Sequence, residues 1–124
     1  MGYICTMRRE FVPFDECIIQ KELDELPPKD AAKLAALMSH YEQIGFGNPS
    51  PAQVDDYGDG IYRLRHIKPA YQGRLLFFAS DRSSGFEELV MLAVYKKQGQ
   101  KAPVHILETA RKRKKRWEKT RGKT

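Results

Sequence analysis

The sequence predicts an α+β domain in which helices pack on a small curved, mainly antiparallel sheet. Three observations carry that expectation. Two apolar stripes at helical spacing, Ile19/Leu23/Leu26 and Leu34/Leu37/Met38/Tyr41/Ile44, occupy the first third of the chain. Three segments rich in β-branched and aromatic residues, at about 61–67, 74–80 and 89–96, then follow with only short turns between them. Turns that short suit antiparallel hairpins, because parallel neighbours need a crossover of about a dozen residues or more. Finally, a helix-length stretch opens at Val104. At 124 residues and 41% hydrophobic content, the chain can bury a core of its own. The expected order is β-α-α-β-β-β-α, with the helices on one sheet face.

Each element has a local reason. Phe11-Val-Pro-Phe14 is apolar but carries Pro13, which suits an edge strand; Tyr3 to Met7 is an additional or alternative first strand. Asp15 is placed as an N-cap, and Pro27-Pro28 ends the first helix. The second helix opens at Pro28 or Lys29 and closes at Gly45, with His40 near its stripe in a structural or surface role. Residues 46–60 are rich in turn formers and acids and read as a loop. Turns with Pro69 and Gly73, then Asp81 to Gly85, separate the three strands. Pro103 is acceptable at the start of the last helix, whose apolar positions Val104, Leu107 and Ala110 run into Arg111-Lys-Arg-Lys-Lys-Arg-Trp117. This divides the chain into a domain over 1–110 and a basic helical tail over 111–124.

The net charge of +6 is unevenly spread. Residues 111–124 hold nine basic residues against Glu118, giving +8, whereas residues 1–110 hold thirteen against fifteen acids, giving −2. Such asymmetry points toward nucleic acid. No apolar run approaches the roughly 20 residues that cross a bilayer, and Gly2 to Met7 is too short for the apolar core of a signal peptide. Cys5 and Cys17 offer no metal spacing, so a cytoplasmic protein with reduced thiols and no cofactor is expected. Asp55, Asp56 and Asp59 lack a histidine or fourth carboxylate at ligand spacing and read as a solvated loop.

The cations in the strands are more specific. Alternation along Gly60-Ile-Tyr-Arg-Leu-Arg-His66 puts Arg63 and Arg65 on one face and Tyr62, Leu64 and His66 on the other. Arg74 opens the next strand, and Lys96 and Lys97 end the third. Between Gly60 and Phe78 stand four basic residues and no acid. A sheet with cations at its strand ends and an apolar opposite face suits a polyanion, and RNA fits best. Tyr62, Phe77, Phe78 and Tyr95 read as sheet packing, while Tyr71, between Pro69 and Gly73, is the aromatic placed to stack on a base.

This order, with Gly60-Ile-Tyr-Arg-Leu-Arg65, Gly73-Arg-Leu-Leu-Phe-Phe78 and Lys96-Lys-Gln-Gly-Gln-Lys-Ala-Pro103 before a last helix, resembles the RelE/ParE superfamily of bacterial type II toxins. It is most similar to the HigB-like, phage-derived branch, over about residues 11–115. The resemblance implies a ribosome-dependent mRNA endonuclease neutralised by a helix-turn-helix antitoxin. It also implies catalytic roles for Arg63 and Arg65, for Arg74 as the holder of the scissile phosphate, for Lys96 or Lys97, and for His105 near the last helix start. Lys68, Tyr71, Lys101, Arg111 and Arg113 are the further candidates for RNA contact.

Chemistry agrees on the division of labour. Metal-independent RNA cleavage needs cations for the developing charge, a base for the 2′-OH and an acid for the departing oxygen. Arginine forks grip phosphate oxygens but are poor bases, which leaves proton transfer to His105, Lys96, Lys97 or His66. Two other readings stay open: a ParE-like inhibitor of DNA gyrase, and a non-catalytic prophage RNA-binding module.

Overall fold

Arg8–Pro13 forms β1, which leads into α1 (Glu16–Asp24) and α2 (Pro28–Ile44). The computed structural model describes residues 8–45, 51–81 and 86–121, so Tyr3 to Met7 lies outside the described residues. Asp15 caps α1 as expected, its Oδ1 accepting the Ile18 N–H at 3.1 Å. Pro28 sits in the first turn of α2, where its missing N–H costs nothing. Gly45 ends α2 at φ +72°, a backbone conformation that favours glycine, and the Arg9 guanidinium lies against it.

The remaining elements are β2 (Ala52–Asp56), β3 (Tyr62–His66), β4 (Gly73–Asp81), β5 (Phe86–Lys96) and α3 (Val104–Arg121). The sheet runs β1-β5-β4-β3-β2. Only the β1–β5 pair is parallel; the other three pairs are antiparallel. The mainly antiparallel α+β architecture is therefore the expected one, with Pro13 on an edge strand.

Two expectations need correction. β2 falls inside the stretch read as a loop at 46–60. Its Gln53, Asp55 and Asp56 are poor strand formers, but pairing with β3 sets Asp55 directly opposite Arg63, and cross-strand charge pairing overrides weak propensity. The helices also cover both sheet faces rather than one. Leu64, Leu75, Phe77, Leu89 and Met91 pack against α1 and α2 through Ile19, Leu26, Leu34, Leu37 and Tyr41. Ile61, Leu76, Phe78, Val90, Leu92 and Tyr95 instead join Ala110 of α3. The uninterrupted apolar runs Leu75 to Phe78 and Leu89 to Tyr95 are the signature of strands covered on both sides. Leu76 opposes Ala93 while Phe77 opposes Met91, so Leu92 is an extra residue that bends β5.

α3 runs through position 111 without a break, and Trp117 is packed against the second core cluster. Arg113 ties the helix to the sheet. Its Nη1 donates to the Leu92 carbonyl at 2.8 Å and pairs with Glu22 of α1 at 2.9 Å. Glu22 in turn accepts the Val94 N–H at 2.9 Å, so this ion pair covers the stretch of β5 that extends past β1. No helix of the described residues is long and apolar enough to cross a membrane.

Candidate functional site

The α3-facing side of β3 carries Arg63 and Arg65, as alternation requires. The turn that precedes them is tight: Gly58, Asp59 and Gly60 all have positive φ, and Tyr57 N–H bonds the Ile61 carbonyl at 2.9 Å. That turn delivers Asp55 of β2 to both arginines. Arg63 Nε and Nη2 donate to Asp55 Oδ2 at 3.0 and 2.8 Å, and Arg65 Nε donates to the same oxygen at 3.2 Å. Arg63 Nη1 reaches the Gln100 carbonyl at 3.1 Å, and its guanidinium lies 5.3 Å from the Tyr57 ring centroid. Tyr57 Oη accepts the Ala102 N–H at 2.9 Å, which holds the β5–α3 connection beside β3.

Arg74 enters from the next strand. It is only 2% exposed, and Nη1 donates to the carbonyls of Tyr71 and Gly73 at 2.9 and 3.1 Å. Tyr95, its partner across the β4–β5 ladder, is 8% exposed. The Tyr95 hydroxyl lies beside Arg63 without a well-formed hydrogen bond to it. An arginine can only donate, so among the described residues the buried hydroxyl proton has no acceptor.

Electrostatics follow from this crowding. Burial lowers the pKa of Arg74, and the neighbouring Arg63 and Arg65 lower it further. Burial acts the same way on Arg63, but Tyr95 and Asp55 outweigh it and raise its pKa. Burial would raise Asp55, yet the two arginines hold it below its ordinary value. Burial raises Tyr95. Three arginines against one carboxylate leave a charge of +2 in a site whose Arg63 and Arg74 are almost fully withdrawn from water. Buried charge in excess of its partners is costly, and such an arrangement is suited chemically to an anion that would supply further acceptors for the arginine forks.

The other candidates are dispersed. Lys97 N–H bonds the Gln72 carbonyl at 2.8 Å, two residues before Arg74. Lys96 lines a cavity of about 370 Å³ with Glu22, Glu25 and Arg113, along β5 between α1 and α3. His105 is exposed in the first turn of α3, and Lys101 is exposed in the connection before it. Arg111 pairs with Asp59 at 3.3 Å, and Arg113 is engaged with Glu22 and Leu92 as described. Lys68 is exposed at the β3–β4 turn. Tyr71 is no open stacking platform, because the His66 ring lies 4.7 Å from it and Lys33 Nζ 4.6 Å from its centroid.

Sequence reasoning missed Asp55, Tyr57 and Tyr95. Of the three aspartates only Asp55 leaves the solvated setting, holding the arginines; Asp56, whose Oδ1 accepts the Gly58 N–H at 2.8 Å, and Asp59, paired with Arg111, are exposed. The Gly58-Asp-Gly60 turn between Asp55 and Arg63 was the available signal for a hairpin. Nothing in the sequence distinguishes the buried hydroxyl of Tyr95 from an ordinary sheet tyrosine.

Residues 21–115 match the family described as Phage derived protein Gp49-like (DUF891). The chain is 33% identical over 109 residues to the probable endoribonuclease HigB1 of Mycobacterium tuberculosis, in strains CDC 1551 / Oshkosh and ATCC 25618 / H37Rv. That alignment covers 86% of this chain and 79% of the relative. A match across most of the chain, carried on a mainly antiparallel sheet between helices, identifies it as a member of the Gp49-like phage-derived family, in the HigB-like branch of the RelE/ParE toxin superfamily.

Proposed function

We propose that this chain is the toxin of a type II toxin–antitoxin pair and acts in the cytoplasm as a metal-independent endonuclease on mRNA at the ribosome. Its partner is a helix-turn-helix antitoxin that neutralises it. The observation that carries the reading is the cluster of Arg63, Arg65 and Arg74 beside Asp55, with buried Tyr95 next to Arg63 and Arg74 and one carboxylate against three cations. The HigB1 relative, named a probable endoribonuclease, supports it.

In this reading the RNA 2′-OH attacks the adjacent phosphorus. A P–O bond forms to the 2′ oxygen and the bond to the 5′ oxygen breaks, leaving a 2′,3′-cyclic phosphate and a 5′-OH end. The arginines hold the non-bridging oxygens and stabilise the charge that develops on them. Lys97, Lys96 and His105 are the candidates for moving the two protons. Asp55 and the Gln100 carbonyl occupy the inner edges of the Arg63 fork, so a phosphate approaches from the Arg65 side, where the side chain is 22% exposed.

The test is induction of this chain alone in bacteria, with mapping of new mRNA 5′ ends and co-expression of the adjacent small reading frame as rescue. Arg65→Ala is the informative variant, since Arg65 is the most accessible of the three arginines. Loss of one charge-stabilising donor is expected to slow cleavage by about 100- to 1,000-fold. Growth arrest without new mRNA ends would reject the nuclease and favour gyrase inhibition. Unimpaired growth at confirmed soluble expression would favour the non-catalytic module.

A further inference from the structure

A second cationic group lies on the opposite face of the β3–β4 hairpin. Lys33 Nζ and Lys29 Nζ stand 4.6 and 5.5 Å from the Tyr71 ring centroid. The His66 ring lies 4.7 Å from that of Tyr71, and Lys68 donates its backbone N–H to His66 Nδ1 at 2.9 Å. Gly73 makes the convergence possible. A Cβ on Gly73 would lie 3.3 Å from the Asp30 carbonyl oxygen, so glycine there eases the close approach of the first turns of α2 to the hairpin.

The placement of these lysines is unfavourable for folding alone. Lys29 and Lys33 occupy the first turns of α2, where the helix dipole is already positive and favours acids. None of Lys29, Lys33 and Lys68 joins an ion pair among the described residues. The nearby acid, Asp30, is buried and accepts the Gln72 N–H at 3.0 Å. His66 is 6% exposed, and burial first, then Lys33 and Lys68, hold its pKa below the ordinary value. Lysines that merely cover an aromatic ring have no need to converge on a helix N-terminus and a buried histidine. The repulsion gathered there is relieved by an anion.

The patch is also continuous with the arginine site, because the Tyr71 carbonyl accepts Arg74 Nη1. We infer that Lys29, Lys33 and Lys68 bind the phosphate backbone of the same RNA strand that enters the arginine site, where that strand passes around the β3–β4 hairpin. This rests on the proposed nuclease function for the strand's identity. The lysines meet phosphate rather than bases, since His66 and Lys33 already flank the Tyr71 ring. The surface therefore carries no sequence preference; it extends the footprint and holds the strand in register.

The experiment uses the whole protein and a short single-stranded RNA with 2′-O-methyl groups, which removes the attacking hydroxyl. NMR titration of the three histidines is expected to show the His66 pKa rising on addition of RNA, as bound phosphate offsets the lysine charges, with His40 as the internal reference. In binding measured against salt, Lys29→Gln/Lys33→Gln/Lys68→Gln is expected to flatten the slope of log K by about 2, at roughly 0.7 for each phosphate of a single strand that is no longer neutralised. A His66 that ignores saturating RNA, or an unchanged salt slope in the folded variant, overturns the inference. So does a variant that keeps its RNA slope but loses antitoxin binding, which would assign the patch to the protein partner. The NMR arm needs no substitution and stands even if the variant folds poorly. Failure of the nuclease reading is separable: induction of the wild type would then give no new mRNA 5′ ends while the lysine variant still showed its flattened salt slope.

Discussion

Asp55→Asn isolates the tension on which the site is built. The carboxylate holds Arg63 and Arg65 through three contacts of 2.8–3.2 Å to one oxygen. It also occupies edges of the forks that an RNA phosphate would use. The substitution keeps size and one acceptor oxygen but removes the charge. Breaking a buried ion pair from one side costs about 3–5 kcal/mol. Asp55 is 26% exposed, so solvent screening reduces that to about 2 kcal/mol. At about 4 °C per kcal/mol for a domain of this size, melting should fall by about 8 °C. Binding should move the other way. A carboxylate roughly 8 Å from a bound phosphate costs about 2 kcal/mol at an effective dielectric of 20, so RNA affinity should rise at least tenfold.

The two readouts, thermal melting and binding of the uncleavable RNA strand, separate the site from a merely structural salt bridge. Lower stability with unchanged RNA affinity would show that the arginines do not receive phosphate. Unchanged stability would show that Asp55 does not anchor them. The pH dependence has a definite sign. The arginines depress the folded-state pKa of Asp55, so its contribution to stability is present above the ordinary carboxylate range and is lost as pH falls through the lower folded value. The gap between wild type and Asp55→Asn should therefore close in acid; a gap that persists there would contradict the charge-based account.

Further outcomes follow from the same structure. Tyr95→Phe removes a buried hydroxyl that lacks an acceptor among the described residues, so the melting temperature should hold or rise while RNA cleavage falls; a clear loss of stability would mean that the hydroxyl is paired in solution. Burial, then Lys33 and Lys68, lower the folded-state pKa of His66, so stability should fall as pH drops below about 6.5 toward that lower value. Melting curves of His66→Gln should be flatter across that window. Truncation after Ala110 removes Arg113 and Trp117 along with the basic tail, and should cost about 2 kcal/mol or more by uncovering the β5 edge and orphaning Glu22. A truncated protein that melts like the full chain would make this part of α3 dispensable for folding.

Much of the architecture is written locally. The Asp15 cap, the α2 stripe closed at Gly45, the apolar runs of β4 and β5 and the Val104 start of α3 all depend on neighbours within a few residues, so periodicity and capping chemistry reveal them. Alternation likewise puts Arg63 and Arg65 on one face, because the pleat has a period of two whatever packs above it. Other features depend on partners distant in sequence. β2 is a strand because β3 lies beside it, and its own polar residues argue otherwise. Arg113 reads as one cation in a soluble run, yet a 21-residue separation in sequence brings it to the Leu92 carbonyl and makes it a brace. The burial of Arg74, the unpaired hydroxyl of Tyr95 and the convergence of Lys29 and Lys33 on Tyr71 belong to the same class. Charge and residue type are properties of the sequence; desolvation, which turns a surface cation into a phosphate-binding group, exists only once strands and helices from separate parts of the chain enclose it.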